Sequence, residues 1–302
     1  MYVLDAKTGC VHWTLEVEAG IRSAITLDER SNGELIAYFG DQTANVYAVD
    51  AKVGKVLWVA GHSGPETAAD ARTHFGIFAP QVWKLFPRGE VINLSFWDYN
   101  DVAPGYFAAA EIAAREKKVG VIIIEVARPD FRVADRSTFA DKDVRAAAKG
   151  LYVIRDFAPG KSKHGYVVAQ GSSATFNLVS VLPRLEQSGV NVKVIAAISE
   201  ELFDHQPEAY RNAVLPTEAR QDLMFVSTGT RRMWPLRNVG SLTDDYSLTA
   251  DRGNHWLTGG LEADVIAEAH LDAESIFAGV QRFAQERPAR MRRQRALLDA
   301  LG

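Results

Sequence analysis

An internal repeat at the start of the chain is the feature that most constrains its fold. The stretch Tyr2–Trp13 (YVLDAKTGCVHW) recurs 45 residues later as Tyr47–Trp58 (YAVDAKVGKVLW). Each copy reads as an apolar strand, an Asp-Ala-Lys-x-Gly turn and a second strand that ends in Trp. The repeat therefore predicts two β-hairpins of the same construction, each with a Trp that fills a core.

The length of the repeat gives a second constraint on the first segment. A period of 45 residues is that of one four-stranded blade of a β-propeller, and the repeat resembles that of the quinoprotein-like (PQQ-type) propellers. A closed propeller needs about four to eight blades, whereas the repeat ends at Trp58. We therefore interpret residues 1–60 as a short all-β propeller-like fragment of about one blade, and we do not expect it to bind a quinone.

From about Gly61 onwards the pattern changes to alternating strands and helices, which is typical of an α/β fold. Two segments have a helical pattern, Ala103–Lys118 and Ala174–Ser188, the second interrupted by Pro183. A polar stretch with helix-breaking residues, Pro159–Lys163, is the predicted linker. The resulting division is one α/β unit over residues 61–158 and another over 164–302. The predicted strands are Val91–Phe96, Val119–Ala127, Tyr166–Gln170, Val190–Ile198 and Leu223–Val226.

Composition excludes several classes of protein. With 47% apolar and 24% charged residues and a net charge of -4, the chain resembles an ordinary globular protein and gives no reason to expect nucleic acid as a partner. It has no apolar run long enough to span a bilayer and no secretory leader, so we expect no membrane partner and a cytoplasmic location. The single cysteine, Cys10, excludes an intramolecular disulfide and a cysteine-cluster metal site. An arginine-rich tail, Arg287–Arg295, predicts a solvated helix end.

Four motifs in a fixed order then point to a family. A strand runs into a Gly-Ser turn over Tyr166–Ser173, followed by Gly189–Ile195 (GVNVKVI), Glu201–Arg211 (ELFDHQPEAYR) and Val214–Pro216 (VLP). This order resembles the C-terminal domain of transketolases. The resemblance implies a three-layer α/β domain that supports a dimer and holds few catalytic groups. In the turn, Ser172 or Ser173 is the predicted helix N-cap, and anion binding at that helix end is the alternative.

The segment before this domain resembles the end of the transketolase pyrimidine-binding domain. In that domain a His-Asp-Ser motif is followed by an acidic residue and then Thr-His-Gln, and His62, Asp70 and His74 match this spacing. The resemblance implies that His74 is catalytic, near the oxygen at the reactive carbon of the cofactor, and that His62 and Asp70 bind substrate. Arg128, after the strand Val119–Ala127, would grip a substrate phosphate.

The turn Trp97–Asp101 lies in this same segment. It resembles the Arg-Pro-Ala-Asp-x-Asn-Glu turn of the pyrimidine-binding domain of that family. Asp98 or Asn100 is the predicted helix cap there, because the side chains of these residue types accept hydrogen bonds from the first helical N–H groups.

The function that the resemblance implies is the thiamine-diphosphate-dependent transfer of two-carbon ketol units between sugar phosphates. Thiamine diphosphate and Mg²⁺ are the cofactors of the complete family enzyme. We find no Gly-Asp-Gly…Asn cradle for the diphosphate upstream of Gly61, and the propeller-like segment stands where the glutamate that activates the cofactor would be. We therefore expect the chain to be inactive alone and to act as a homodimer or with a complementary diphosphate-binding chain.

Two alternatives stay open. Phe75-Gly76 follows His74 where transketolases have Gln-Pro, so the chain could belong to the E1 component of a 2-oxo acid dehydrogenase or to a deoxyxylulose-phosphate synthase, which share the same domains. The other alternative is a non-catalytic interaction or dimerisation protein, in which the propeller-like segment docks on a partner.

Overall fold

The computed structural model describes residues 1–17, 20–21, 25–30, 32–41, 45–60, 89–125, 133–229, 244–250 and 262–300. The chain forms two compact units, Met1–Thr73 and His74–Gly302. No helix within the described ranges is long and apolar enough to cross a membrane.

The first unit consists of antiparallel strands. A hairpin pairs β1 (Tyr2–Leu4) with β2 (Val11–Thr14). A four-stranded sheet follows in the order β3-β4-β5-β6, and each strand pairs with the next along the chain. Its strands are β3 (Thr26–Glu29), β4 (Leu35–Gly40), β5 (Val46–Asp50) and β6 (Val56–Ala60).

The hairpins β1–β2 and β5–β6 have the same register, as the repeat predicts. Val3 pairs with Trp13 in the first hairpin and Ala48 with Trp58 in the second, and each hairpin has an irregularity immediately after that pair. The prediction of a core-filling Trp is wrong for Trp58, which is 45% exposed. The sheets are small, and the propeller resemblance stays a prediction.

The second unit begins with a parallel β-α-β motif. β7 (Val91–Ser95) pairs in parallel with β8 (Val121–Glu125), and α1 (Val102–Glu116) connects them. All three elements lie within two residues of the predicted bounds. β7 is buried along its whole length, including its polar residues Asn93 and Ser95.

A five-stranded sheet forms the remainder of the unit, in the order β13-β12-β10-β11-β9. Strands β10 to β13 are parallel, and β9 is antiparallel to its neighbour β11. β9 lies upstream of the predicted linker Pro159–Lys163, so that segment connects two strands of one sheet and the sheet begins before residue 164. The strands are β9 (Leu151–Arg155), β10 (Tyr166–Gln170), β11 (Lys193–Ala197), β12 (Leu223–Ser227) and β13 (Leu248–Thr249).

Helices connect and follow these strands. The predicted serine cap is wrong: Gly171 is the N-cap of α2, and no side chain caps this helix. A side chain could not replace this glycine, because its Cβ would lie 1.8 Å from Thr228 Oγ1. The helices are α2 (Ser172–Gln187), α3 (Glu200–Asp204), α4 (Glu208–Val214), α5 (Glu262–Glu268), α6 (Ala273–Gln285) and α7 (Arg287–Ala300).

The arginine-rich tail is α7, and it is not wholly solvated. Arg290 is buried: its Nη2 donates to Asp222 Oδ1 at 3.0 Å, and its guanidinium lies 3.8 Å from the centre of the Phe283 ring. The prediction of a solvated helix end is therefore wrong for this residue.

Apolar side chains cover both faces of the five-stranded sheet. Along β10, Val167 and Ala169 belong to one cluster, which includes residues of α2 and α6 and Ile92 and Leu94 of β7. Val168 belongs to the cluster on the opposite face, with Phe203 of α3 and Val214 of α4. The domain is thus a three-layer α/β arrangement, since alternate side chains of one strand enter two different cores.

Candidate functional site at the carboxyl end of β7

The four predicted site residues, His62, Asp70, His74 and Arg128, lie outside the described residues. Arg128 follows the last residue of β8, Glu125, by three positions. The described residues around the carboxyl ends of β7 and β8 are therefore the ones that can be compared with the predicted site.

The carboxyl end of β7 joins the five-stranded sheet directly. Ser95 N donates to the carbonyl of Ile198, which follows β11, at 2.8 Å. Two residues before Ser95, the backbone N of Asn93 donates to Glu201 Oε2 at 3.2 Å, and its side-chain amide donates to Glu125 Oε1 at 2.9 Å. These bonds place the β7–β8 pair at the carboxyl end of β11.

The Glu201–Arg211 motif supplies the other half of this junction. Besides Glu201, His205 links two elements, because its ring nitrogens lie 2.8 Å from the Glu201 carbonyl and 2.9 Å from Glu116 of α1. Tyr210 donates from its hydroxyl to the Leu151 carbonyl at the start of β9, at 2.8 Å. The motif thus ties α1 and β7 to the five-stranded sheet, a structural role consistent with the family resemblance.

A buried charged network follows β7, formed by Trp97, Asp98, Asp101, Arg136 and Tyr152. Arg136 Nε donates to Asp98 Oδ2 at 2.8 Å, and its Nη2 pairs with Asp101. The Tyr152 hydroxyl donates to Asp101 Oδ2 at 3.0 Å and accepts from Trp97 Nε1 at 2.8 Å. All five residues are buried, so the network is held in place on every side by protein.

Asp98 also confirms the cap prediction for this turn. Its Oδ1 accepts from Asn100 N at 3.2 Å as the N-cap of the short 3-10 helix Tyr99–Asp101. The same oxygen accepts from Ala134 N at 3.2 Å. One carboxylate therefore caps a helix, binds a loop and pairs with the buried arginine.

Burial raises the pKa of Asp101 to about 7, against the lowering effect of Arg136 and with a further raising effect of Asp98. Two carboxylates share one guanidinium here, so a proton on one of them makes the buried cluster neutral. Burial also raises the pKa of Tyr152 well above its usual value, which keeps its hydroxyl a donor.

The sequence indicated one half of this network. Asp98 and Asp101 stood in a recognisable turn, but Arg136 and Tyr152 lie far along the chain and share no periodic spacing with them. The apolar run of β9, which carries Tyr152, was the available signal. Since the network is buried, it can hold the turn after β7 in place and take up a proton, but it offers a substrate no access.

A cavity of about 400 Å³ lies at the opposite, amino edge of the sheet, lined in part by Lys163, His164, Ser188 and Arg287. His164 Nδ1 accepts from Asn191 N at 3.0 Å. Burial lowers the pKa of His164, and Arg287 lowers it further. Arg287 is itself paired with Asp222, which offsets much of the positive charge of the cavity.

The described residues do not form a site for the Mg²⁺ ion that the family resemblance implies. In the ranges that the structure describes, no group of three or more His, Cys, Asp and Glu side chains could hold a metal ion. The carboxylates Asp98 and Asp101 are already engaged by Arg136 and are closed to solvent.

Comparison with known proteins gives the relationship of the second unit. Residues 150–244 match the family of the transketolase-like TK C-terminal domain. Transketolase from Aquifex aeolicus (strain VF5) is 31% identical over 189 residues, which is 62% of this chain and 25% of that protein. The chain thus spans about a quarter of the length of this relative.

A solved structure of a transketolase has a similar fold. Transketolase from Leishmania mexicana superimposes with a TM-score of 0.52 at 17% sequence identity, over 70% of this chain and 28% of that one. A further similarity, 38% identity over 61 residues, is to the polyvinylalcohol dehydrogenase of a Pseudomonas species, of which it covers 10%. The second unit therefore contains a transketolase-like C-terminal domain, and the match to that domain begins at Gly150, the glycine that precedes β9.

Proposed function

We propose that this chain is the C-terminal part of a thiamine-diphosphate-dependent transferase that moves two-carbon ketol units between sugar phosphates. The observation that carries the proposal is the match of residues 150–244 to the transketolase-like domain. The bonds of Asn93 and Ser95 support it further, because they attach a β-α-β motif to that domain through the Glu201 segment.

In this proposal the chain contributes groups that bind and orient sugar phosphates. His62 and Asp70 contact the substrate oxygens, because an imidazole donates and a carboxylate accepts from sugar hydroxyls. His74 is the catalytic group that moves a proton at the oxygen next to the reacting carbon. Arg128 grips a substrate phosphate through two parallel hydrogen bonds.

Thiamine diphosphate would supply a nucleophilic carbon in the complete enzyme. The described residues do not fit its Mg²⁺, so we place that metal and the diphosphate on a complementary chain. This chain is accordingly proposed to be inactive alone, and a dimer through the C-terminal domain is part of the proposal.

The test is complementation. The chain is joined by a flexible linker to the portion of Aquifex aeolicus transketolase that it does not match, and formation of a new ketose phosphate is measured with thiamine diphosphate and Mg²⁺. We expect transfer with the fusion and none with either part alone. If a folded fusion that binds the cofactor transfers no ketol unit, the proposal is wrong.

Variants of the fusion assign the roles. We expect His74→Ala to lower kcat by about 10²- to 10⁴-fold, the usual range for a lost general acid or base. Arg128→Met should raise the KM for phosphorylated acceptors more than that for free aldoses. His12→Ala, at an exposed position of the first unit, is the matched control and should leave both constants unchanged.

Two enzymatic alternatives share a specific feature in their favour, Phe75-Gly76 after His74. A 2-oxo acid dehydrogenase E1 component would decarboxylate 2-oxo acids and pass the product to a lipoyl partner. A deoxyxylulose-phosphate synthase would decarboxylate a 2-oxo acid, releasing CO₂, and join the remaining acyl unit to the carbonyl carbon of an aldose phosphate. Assays of the fusion with 2-oxo acids, with and without a lipoyl domain, distinguish both from ketol transfer.

A further inference from the structure

The two hairpins of the first unit have equivalent turns. In the first, Gly9 N donates to the Asp5 carbonyl and Asp5 N to the Cys10 carbonyl, both at 2.8 Å. In the second, Gly54 N donates to the Asp50 carbonyl and Asp50 N to the Lys55 carbonyl, also both at 2.8 Å. A partner that binds one turn therefore finds the same backbone in the other.

Within the chain, the first hairpin binds the turn of the second through Trp13. The indole Nε1 of Trp13 donates to the Ala51 carbonyl at 3.0 Å. The ring covers Gly54 so closely that a Cβ on this glycine would lie 2.6 Å from Trp13 Cε3. The contact thus has two parts: an indole on one hairpin, and a turn with a glycine, over which the indole lies, on the next.

The repeat supplies a second indole and a second turn, and within the described residues these two do not contact each other in this way. Trp58 is the repeat equivalent of Trp13, but it is 45% exposed and its ring lies beside Tyr38, with 6.1 Å between ring centres. Gly9 is the equivalent of Gly54 and has a similar φ of +72°, yet nothing lies within 4 Å of the position of its Cβ. No described residue donates a hydrogen bond to the carbonyl of Ala6, the equivalent of Ala51.

We propose that Trp58 of one copy of this chain docks on the Asp5–Gly9 turn of a second copy. The indole N–H donates to the Ala6 carbonyl, and the ring covers Gly9. This contact continues the Trp13–Gly54 interface with the same register and the same turn. A second copy is the partner that fits, because the chain itself carries the turn sequence, Asp-Ala-Lys-x-Gly, on which its other repeat Trp is seated.

The symmetry of this contact predicts the kind of assembly. One copy uses β6 and the other uses the β1–β2 turn, so the contact is heterologous and leaves one indole and one turn for further copies. Head-to-tail association of this kind closes into a ring or extends into a filament. It does not stop at a two-fold dimer, unlike the dimer proposed for the C-terminal domain.

Sedimentation of the full chain over a range of concentrations tests the contact. Tryptophans at the centre of protein interfaces often contribute most of the binding energy. We therefore expect Trp58→Ser to raise the dissociation constant, obtained from the increase of mass with concentration, by at least about 10-fold. Tyr99→Ser is the matched control, since Tyr99 is an exposed aromatic residue of the second unit, and it should behave as the unchanged chain. Equal association of Trp58→Ser and the unchanged chain would overturn the proposal.

Mixing two variants gives a test that a folding defect cannot imitate. Gly9→Asn keeps the positive φ, which Asn tolerates, and places a side chain where the indole would lie. Trp58→Ser and Gly9→Asn should each lose the head-to-tail step alone, and a mixture should form a larger species, because one intact indole then meets one intact turn. If mixing produces no species larger than either variant forms alone, the proposal fails.

Discussion

The two units of this protein differ in how their sequences specify structure. The first unit has a sequence repeat that reproduces strand register and turn geometry, yet its core is a small cluster around Phe39, Tyr47 and Val49. The second unit has no such repeat, but it encloses a continuous core that connects β7, the five-stranded sheet and two long helices. Local sequence therefore specified the hairpins, whereas burial specified the sheet and the network beside it.

The largest expected effect is that of a substitution in the buried charged network, which tests whether this network stabilises the second unit. Arg136→Met leaves Asp98 and Asp101 buried without their cation, and the loss of one partner of a buried ion pair costs roughly 3–5 kcal/mol. We expect this decrease in the free energy of unfolding by urea, followed by circular dichroism at 222 nm. That signal reports helices, which in the described part of the chain belong to the second unit.

The matched control is Arg145→Met. Arg145 pairs with Asp143 at 2.8 Å in an exposed position, and such pairs contribute little because water competes with them. We expect no measurable change in stability. Equal effects of the two substitutions would mean that the buried network does not stabilise the unit.

The pH dependence of stability provides the second comparison. The pKa of Asp101 is about 7 in the folded protein, above its ordinary value of 3.8. Between these values the folded state binds a proton that the unfolded state has released, so stability is greatest at low pH and falls as pH rises, by at most about 1.4 kcal/mol per pH unit. Urea unfolding at pH 5 and pH 8 should show this decrease, and Asp101→Asn should reduce it.

An exposed carboxylate serves as the control for that experiment. The hydrogen bonds from Arg145 lower the pKa of Asp143, so the stability it contributes is present above its ordinary pKa and is lost at more acidic pH. Asp143→Asn should therefore leave the difference between pH 5 and pH 8 unchanged. If Asp101→Asn also leaves it unchanged, Asp101 is not the group that takes up the proton.

The third prediction concerns the first unit and uses its two equivalent glycines. Alanine at a positive φ costs about 1–2 kcal/mol, and both Gly9→Ala and Gly54→Ala incur this cost. Gly54→Ala also displaces the Trp13 ring, which adds about 1–3 kcal/mol. We expect faster hydrogen exchange in residues 46–60 for Gly54→Ala than for Gly9→Ala, measured at low protein concentration. Equal exchange would show that Trp13 does not stabilise the second hairpin.

The parts that could be predicted from the sequence have a local or periodic signal. β10 has the predicted bounds, α1 begins one residue early and ends two residues early, and Asp98 caps a helix as its residue type suggests. The hairpin register follows from the repeat, since a turn of fixed length sets which residues pair.

The parts that could not be predicted depend on contacts across the chain. β9 pairs antiparallel with β11, and β10 and α2 lie between these two strands in the chain. No local sequence pattern therefore assigns β9 to that sheet. Asp98 and Arg136 are 38 positions apart, and Arg290 reaches Asp222 over 68. The Gly171 cap depends on the approach of Thr228. His62, Asp70, His74 and Arg128 stay predictions from resemblance.

The smallest expected effect concerns a single hydrogen bond that the Glu201–Arg211 motif makes within the second unit. Tyr210→Phe removes the hydrogen bond to the Leu151 carbonyl and retains the ring, which packs on Phe203. Burial raises the pKa of Tyr210 well above its usual value, so the hydroxyl donates this bond at every pH at which the protein is handled. The free energy of unfolding should fall by about 1 kcal/mol, independently of pH.

Tyr106→Phe is the control. The Tyr106 hydroxyl makes no hydrogen bond with any described residue, so its removal should not change stability. A loss from Tyr210→Phe as large as that of Arg136→Met would contradict the contribution expected of one neutral hydrogen bond.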